Sequence, residues 1–179
     1  MSLRAHLRAA TAPAHGKLDE TFDPADFGRG ETYAGFLRFQ LAARRPVEAW
    51  LAAHCPVAFR PPPTVPLIER DLKALGAIPP AHPVACQLDP SSDPLGVAWV
   101  LAGSSMGNRT MLAAMAKSGI SDLPAAFLSD PDMPRFWQEM RPLLERPANE
   151  AEAAPAVASA NAVFTMFAKG LELVQRSAA

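Results

Sequence analysis

One histidine in this chain has neighbours that suit a metal ligand. If the N-terminal segment is helical, Asp19 lies one turn after His15 and Arg8 lies two turns before it, on one side of the helix. A carboxylate at that spacing can accept a hydrogen bond from one ring nitrogen of His15, which fixes the tautomer and makes the other nitrogen more basic. A lone histidine on such a face is more often an ordinary core or surface residue, so the spacing alone leaves both interpretations open.

Two glycines stand four residues apart in a segment with an otherwise helical pattern. They are Gly103 and Gly107, in the run AGSSMG at 102–107. Each glycine inside a helix costs about 1 kcal/mol relative to alanine, so some gain must offset the pair. One explanation is close packing of a second helix. The other is a flat ligand that lies against backbone where side chains would block it.

A pair of aromatic residues three positions apart marks the last helical segment. Phe164 and Phe167 lie in the run NAVFTMF at 161–167. Such a pair usually belongs to the core, which is the default interpretation. The alternative is that the pair forms one wall of a pocket for a flat ligand.

Helical spacing dominates the elements that must carry these residues. The first segment shows one apolar stripe at intervals of three and four, formed by Leu3, Leu7, Ala10, Ala14, Leu18 and Phe22. Pro13 lies inside that segment and predicts a kink or a restart near Thr11. Further helices are predicted at 32–54 with a bend or a break at Pro46, and at 66–75, 94–117, 134–144 and 149–175.

Cap and loop signals separate these helices. Asp93 followed by Pro94 is typical of an N-cap with proline at the first helical position, and Gly76 and Gly119 are typical of helix ends. The proline-rich stretch 78–92 predicts a loop. Because no segment alternates as a strand does, the pattern predicts one all-α domain over residues 1–179.

Composition narrows the class of function. The 17 Lys and Arg residues nearly balance the 18 Asp and Glu residues, which argues against a nucleic-acid partner. Two cysteines, Cys55 and Cys86, are too few and too far apart for a zinc site. The N-terminal 14 residues have no continuous apolar run, and polar residues interrupt the apolar stretch 95–115. We therefore expect a cytoplasmic protein without a membrane span.

Two blocks of the chain resemble the haem oxygenase family. Residues 7–19, LRAATAPAHGKLD, are similar to its proximal-helix pattern L-[KR]-x-x-T-x-x-x-H-x-x-x-[ED]. Residues 99–108, WVLAGSSMGN, are similar to the distal-helix pattern of its bacterial branch, roughly YV-x-EGS-x-LGG. The run 161–167 also resembles the family's final helix. This resemblance implies a haem-oxygenase-like helical bundle with haem between the first helix and a kinked, glycine-containing distal helix.

The resemblance also implies roles for single residues. His15 would be the proximal iron ligand, with Asp19 as its hydrogen-bond partner, and Arg8 would pair with a haem propionate. Gly103 and Gly107 would lie over the iron. Phe164 and Phe167, in the final helix, would wall the haem pocket.

The distal block departs from the family pattern at three positions. Trp99 stands where tyrosine is frequent, Ala102 replaces the usual bacterial glutamate, and Asn108 replaces the second glycine of the closing pair. Ser104 stands where the mammalian branch has aspartate, and bacterial members commonly have serine there too. Ser104 and Asn108 are our candidates for holding distal water.

The function implied by the resemblance is oxidative opening of haem to biliverdin, carbon monoxide and iron. Haem would be both cofactor and substrate, with O2 as oxidant and a ferredoxin or a reductase as electron donor. The alternative is a haem-binding carrier or sensor of the same fold without turnover. A third hypothesis is a thiaminase-like helical hydrolase with Cys55 or Cys86 as the nucleophile.

Overall fold

The computed structural model describes residues 1–177 and confirms the predicted all-helical class. Two short 3-10 turns, Pro24–Gly28 and Val57–Phe59, stand on either side of the second helix. The described residues form the α-helices α1 (Leu3–Asp19), α2 (Gly30–His54), α3 (Val65–Ala74), α4 (Pro94–Lys117), α5 (Asp132–Glu145) and α6 (Glu150–Ser177).

Local cap chemistry sets several of the helix ends as predicted. The Asp93 carboxylate accepts hydrogen bonds from the amides of Leu95 and Gly96 at 2.8 and 3.1 Å, which caps α4 behind Pro94. Gly76 follows α3 with φ +65°, a left-handed conformation that favours glycine. The helices begin and end within about two residues of the predicted bounds because such signals act over one turn.

The prolines inside α1 and α2 do not interrupt these helices, so the predicted restart near Thr11 and the predicted break at Pro46 are wrong. Pro46 has no N–H to give to the Ala42 carbonyl, and the amide of Val84 donates to that carbonyl at 3.1 Å instead. A loop contact thus replaces the missing helical bond. In α1, Ala9, four residues before Pro13, is exposed together with Arg8 and Ala10.

Helix α6 is the centre of the bundle. It packs against α1, α2 and α4. Within residues 1–177 it is the one helix that is long and apolar enough to cross a membrane. One side of it is nevertheless buried inside the bundle through Ala153, Ala156, Ala160, Val163, Met166 and Phe167. Its apolar character is therefore explained by its place in the core.

Helices α4 and α6 cross closely at Gly96. A β-carbon on Gly96 would lie within 3.0 Å of three backbone atoms of Ala156. Only a residue without a side chain allows the two backbones to approach this closely. Small-residue packing thus occurs on α4, but two turns before Gly103.

The N-terminal end of α1 is fixed to the connection between α5 and α6. The Leu3 amide donates to the Arg146 carbonyl at 3.0 Å, and the Ala148 amide donates to the Met1 carbonyl at 2.9 Å. The His6 ring nitrogen Nε2 lies 3.0 Å from the Ala148 carbonyl oxygen. These bonds hold the end of α1 opposite to His15.

Candidate functional site

His15 and Asp19 form the pair expected from their spacing. Nδ1 of His15 lies 2.7 Å from Oδ2 of Asp19, and the two side chains are 57% and 61% exposed. The carboxylate orients the ring through Nδ1, which leaves Nε2 as the nitrogen that can bind a ligand. The Phe164 ring of α6 meets the His15 ring edge-on, with 6.1 Å between the centroids. The imidazole is therefore held from two sides and is still open to solvent.

The two phenylalanines of α6 have different surroundings. Phe164 is buried but lies against the exposed His15. Phe167 lies deeper. Its ring meets Phe39 edge-on, with 5.8 Å between the centroids, and the guanidinium carbon of Arg44 lies 5.7 Å from the Phe167 centroid. Phe167 fits the default interpretation as a core residue, whereas Phe164 contacts the predicted ligand His15.

Neither distal glycine packs closely against another helix. A β-carbon on Gly107 would meet no atom within 4 Å, and Gly107 is exposed. A β-carbon on Gly103 would meet only Trp137 of α5, at an ordinary contact distance of 3.8 Å. Close helix packing therefore does not explain these glycines, and the face at Gly107 is left without cover.

Helices α1 and α4 each pack against the same two helices, α5 and α6, but in the described part of the chain not extensively against each other. Both pack on α6 and both touch α5, and extensive contact between α1 and α4 is absent in residues 1–177. The open imidazole and the open glycine face belong to these two helices.

Beside the two glycines, α4 carries partly buried polar side chains that form hydrogen bonds within the protein. The Ser104 hydroxyl accepts a bond of 2.6 Å from Nη2 of Arg44 and donates one of 2.7 Å to the Leu101 carbonyl. The Asn108 amide donates to the Phe127 carbonyl at 3.4 Å. A cavity of about 10 Å³ lies beside Ser104 and Asn108, which is room for one water molecule.

Arg44, which is not among the site residues predicted from the sequence, is the most deeply buried charge near this cavity. Its side chain is 1% exposed, and its guanidinium lies 4.9 Å from the centroid of the Phe127 ring. Burial lowers the pKa of Arg44 to about 10, although the charges of Glu48 and Asp130 oppose that shift. The signal was present, because Arg44 continues the stripe of α2 whose other members are the buried Leu37, Leu41, Val47 and Leu51.

Arg8 and the cysteines complete the predicted residues. Arg8 is exposed, and no hydrogen bond or ion pair joins it to another residue of the described part of the chain.

Both cysteines are free thiols, Cys55 buried and Cys86 exposed. Burial raises the pKa of Cys55, and the charge of Arg60 offsets part of that rise. A raised thiol pKa is the opposite of what a cysteine nucleophile needs.

The histidine next to Cys55 in the chain, His54, does not act as a base for its thiol. His54 precedes it in the chain, but the His54 ring packs on Trp50 with 5.2 Å between the centroids. The hydrolase hypothesis therefore gains no support from the surroundings of this thiol.

Comparison with known proteins gives a match in structure only. No family model matches the chain, and no curated protein matches it in sequence. The crystal structures of the NO- and CO-bound haem oxygenase from Neisseria meningitidis match it with a TM-score of 0.69. The match covers 98% of this chain and 93% of that chain at 19% sequence identity. The chain described here therefore has the all-helical, single-domain fold of a bacterial haem oxygenase.

Proposed function

We propose that this protein binds haem through His15 and opens the haem ring with O2. The observation that carries the proposal is the oriented and exposed imidazole of His15 on the fold of a haem oxygenase. A carboxylate-bound imidazole with one free nitrogen is the donor that a single axial iron ligand requires. Two further observations support it: the Phe164 ring packs edge-on against the His15 ring, and the face of α4 at Gly107 is uncovered.

The remaining residues fit a flat ligand with carboxylate groups. Arg8 lies two turns before His15 on α1, and it has no partner in the described residues that would compete with a propionate. Gly107 places no side chain on the open face of α4, so that face would leave room for a small molecule beside the haem ring. Asp19 keeps Nδ1 of His15 occupied, which directs Nε2 to the metal.

When bound, haem would supply the oxygen chemistry, with electrons from a ferredoxin or a reductase and with biliverdin, carbon monoxide and iron as products. The protein's part is to hold the iron from one side and to leave the other side open. Ala102, which replaces the glutamate of the bacterial pattern, is completely buried, so this departure lies in the core rather than on the open face. We expect the protein to act in the cytoplasm, without nucleic-acid or membrane partners.

One observation favours the second candidate, a haem carrier or sensor. The Ser104 hydroxyl gives its hydrogen to the Leu101 carbonyl, and the Asn108 amide donates to the Phe127 carbonyl. Both side chains that were predicted to hold distal water thus have partners inside the protein. If neither can hold water for proton delivery, the protein would bind haem without opening it.

The experiment compares His15→Ala with His82→Ala, a matched control in the loop between α3 and α4. Hemin complexes of wild type and both variants are recorded by visible and EPR spectroscopy, with and without added imidazole. Only His15→Ala should lose the native axial signature and recover it with imidazole. A His15→Ala spectrum identical to wild type would refute His15 as the ligand.

Turnover is tested on the wild-type hemin complex. A ferredoxin system in air, with catalase present to remove free peroxide, should bleach the Soret band and yield biliverdin and carbon monoxide. A reduced complex that persists in air for hours without biliverdin would establish the carrier or sensor function instead.

A further inference from the structure

A buried arginine joins three helices beneath the distal segment of α4. From α2, Arg44 donates through Nε to the Gln40 side chain at 2.9 Å, through Nη1 to Thr64 Oγ1 at 3.1 Å, and through Nη2 to Ser104 Oγ at 2.6 Å. Thr64 stands at the start of α3 and Ser104 lies in α4. One planar group thus bonds to side chains of α2 and α4 and to the residue that caps α3.

The electrostatics of Arg44 are unusual for a buried cation. Among residues 1–177 it forms no direct ion pair. The carboxylate of Glu48 reaches it only through Thr64, whose hydroxyl donates to Glu48 Oε1 at 2.7 Å. Its guanidinium also lies over the rings of Phe127 and Phe167. A buried charge with indirect pairing is nevertheless costly, and replacing such a group by a well-packed apolar residue is often neutral or stabilising. Stability alone does not account for the arginine.

The bond to Ser104 acts on a part of α4 that is easily deformed. Ser104 lies between Gly103 and Gly107, and glycine lowers the resistance of a helix to bending. Arg44 occupies one lone pair of the Ser104 hydroxyl, and the hydroxyl hydrogen is directed to Leu101. The rotamer of Ser104 and the local path of α4 are therefore fixed from the inner side.

We propose that Arg44 is a positioning residue that fixes the glycine segment of α4, residues 103–107, through Ser104. The proposal deepens the proposed function, because the outer side of this segment is the face offered to the haem. It requires the fork geometry of the guanidinium and not only a positive charge, since the ammonium of lysine cannot donate in these three directions from one plane.

The test uses hydrogen exchange of backbone amides in the haem-free protein, so that it does not depend on haem binding. The variants are Arg44→Met, Arg44→Lys and Ser104→Ala, with Leu72→Ala in the buried part of α3 as a control for general destabilisation. Exchange is compared at conditions of equal global stability. Amides 104–108 should exchange at least tenfold faster in Arg44→Met and Ser104→Ala than in Leu72→Ala.

The double variant Arg44→Met/Ser104→Ala should exchange no faster than the faster single variant, because both remove the same bond. If Arg44→Met does not fold, Ser104→Ala still breaks the contact and decides the question. Wild-type exchange in Arg44→Lys would show that charge is sufficient and would overturn the proposal. So would an increase that is equal in all variants or absent from 104–108.

A second arm separates this proposal from the proposed function. In hemin complexes, Arg44→Met should keep the axial signature of His15 and shift the C–O stretching frequency of the CO adduct, while Leu72→Ala should leave that frequency unchanged. Failure of every variant and of wild type to bind hemin would refute the proposed function, and the exchange result would still decide the role of Arg44.

Discussion

Replacing Gly107 by leucine should change the stability of the fold and the binding of a ligand in opposite directions. Gly107 lies in the interior of α4 and is exposed, and a β-carbon there would meet no atom within 4 Å. Glycine in a helix interior is about 0.8–1.0 kcal/mol less favourable than alanine, and leucine is close to alanine. With no contact to lose, Gly107→Leu should raise the free energy of unfolding of the haem-free protein by about 0.5–1 kcal/mol.

For a chain of 179 residues, this gain corresponds to a rise in Tm of about 2–4 °C per kcal/mol. Gly96→Ala provides the contrast, because its β-carbon would lie within 3.0 Å of the Ala156 backbone. Over-packing of this kind typically costs about 1–3 kcal/mol, so Gly96→Ala should lower Tm although alanine is the better helix former. Thermal unfolding followed by circular dichroism measures both variants.

The functional half of the prediction concerns the open face of α4. In Gly107→Leu, the axial signature of His15 in the hemin complex should be retained, while CO affinity of the reduced complex should fall at least tenfold, or about 1.4 kcal/mol. Gly107→Ala should give the same rise in Tm with a smaller loss of CO affinity. A Gly107→Leu variant that is destabilised, or that binds hemin and CO as wild type does, would refute the inference that this face is kept open for a ligand.

Two further predictions test the charge on α1 and the only tyrosine of the chain. Arg8→Ala should weaken hemin binding by about one to two decades, the value of one charge-assisted hydrogen bond, and titration of hemin should show no such loss for Arg176→Ala at the far end of α6. Tyr33 is completely buried, and its hydroxyl donates to the Pro124 carbonyl at 2.9 Å. Burial, and to a smaller extent the negative charge of Asp71, raises the pKa of Tyr33 above the ordinary value of about 10. The stabilisation that follows is complete below pH 10 and is lost as the pH rises further, because the unfolded chain then releases the phenolic proton first. Absorbance at 295 nm should therefore show no tyrosinate at pH 10.5 until the protein unfolds, and a normal titration of the folded protein would contradict the placement of this ring.

Local sequence determined the helices and the central pair of the site. Asp93 with Pro94 begins α4, and Gly76 ends α3, because caps act through bonds within one turn. His15 and Asp19 meet because residues four apart on a helix are neighbours, whatever the rest of the fold does. These features could be predicted because their causes lie within a few residues.

Tertiary structure decided what sequence spacing left open. The spacing of the glycines in α4 does not predict which of them contacts another helix. The close contact is at Gly96, against the Ala156 backbone, while Gly107 is open. Pro46 does not break α2, and the amide that bonds the freed Ala42 carbonyl comes from Val84, in a loop more than forty residues further along the chain. Arg44 lies in the core because partners on three helices converge on its guanidinium. Each outcome depends on which distant segments pack together, and burial against those segments sets the energies that local propensity does not contain.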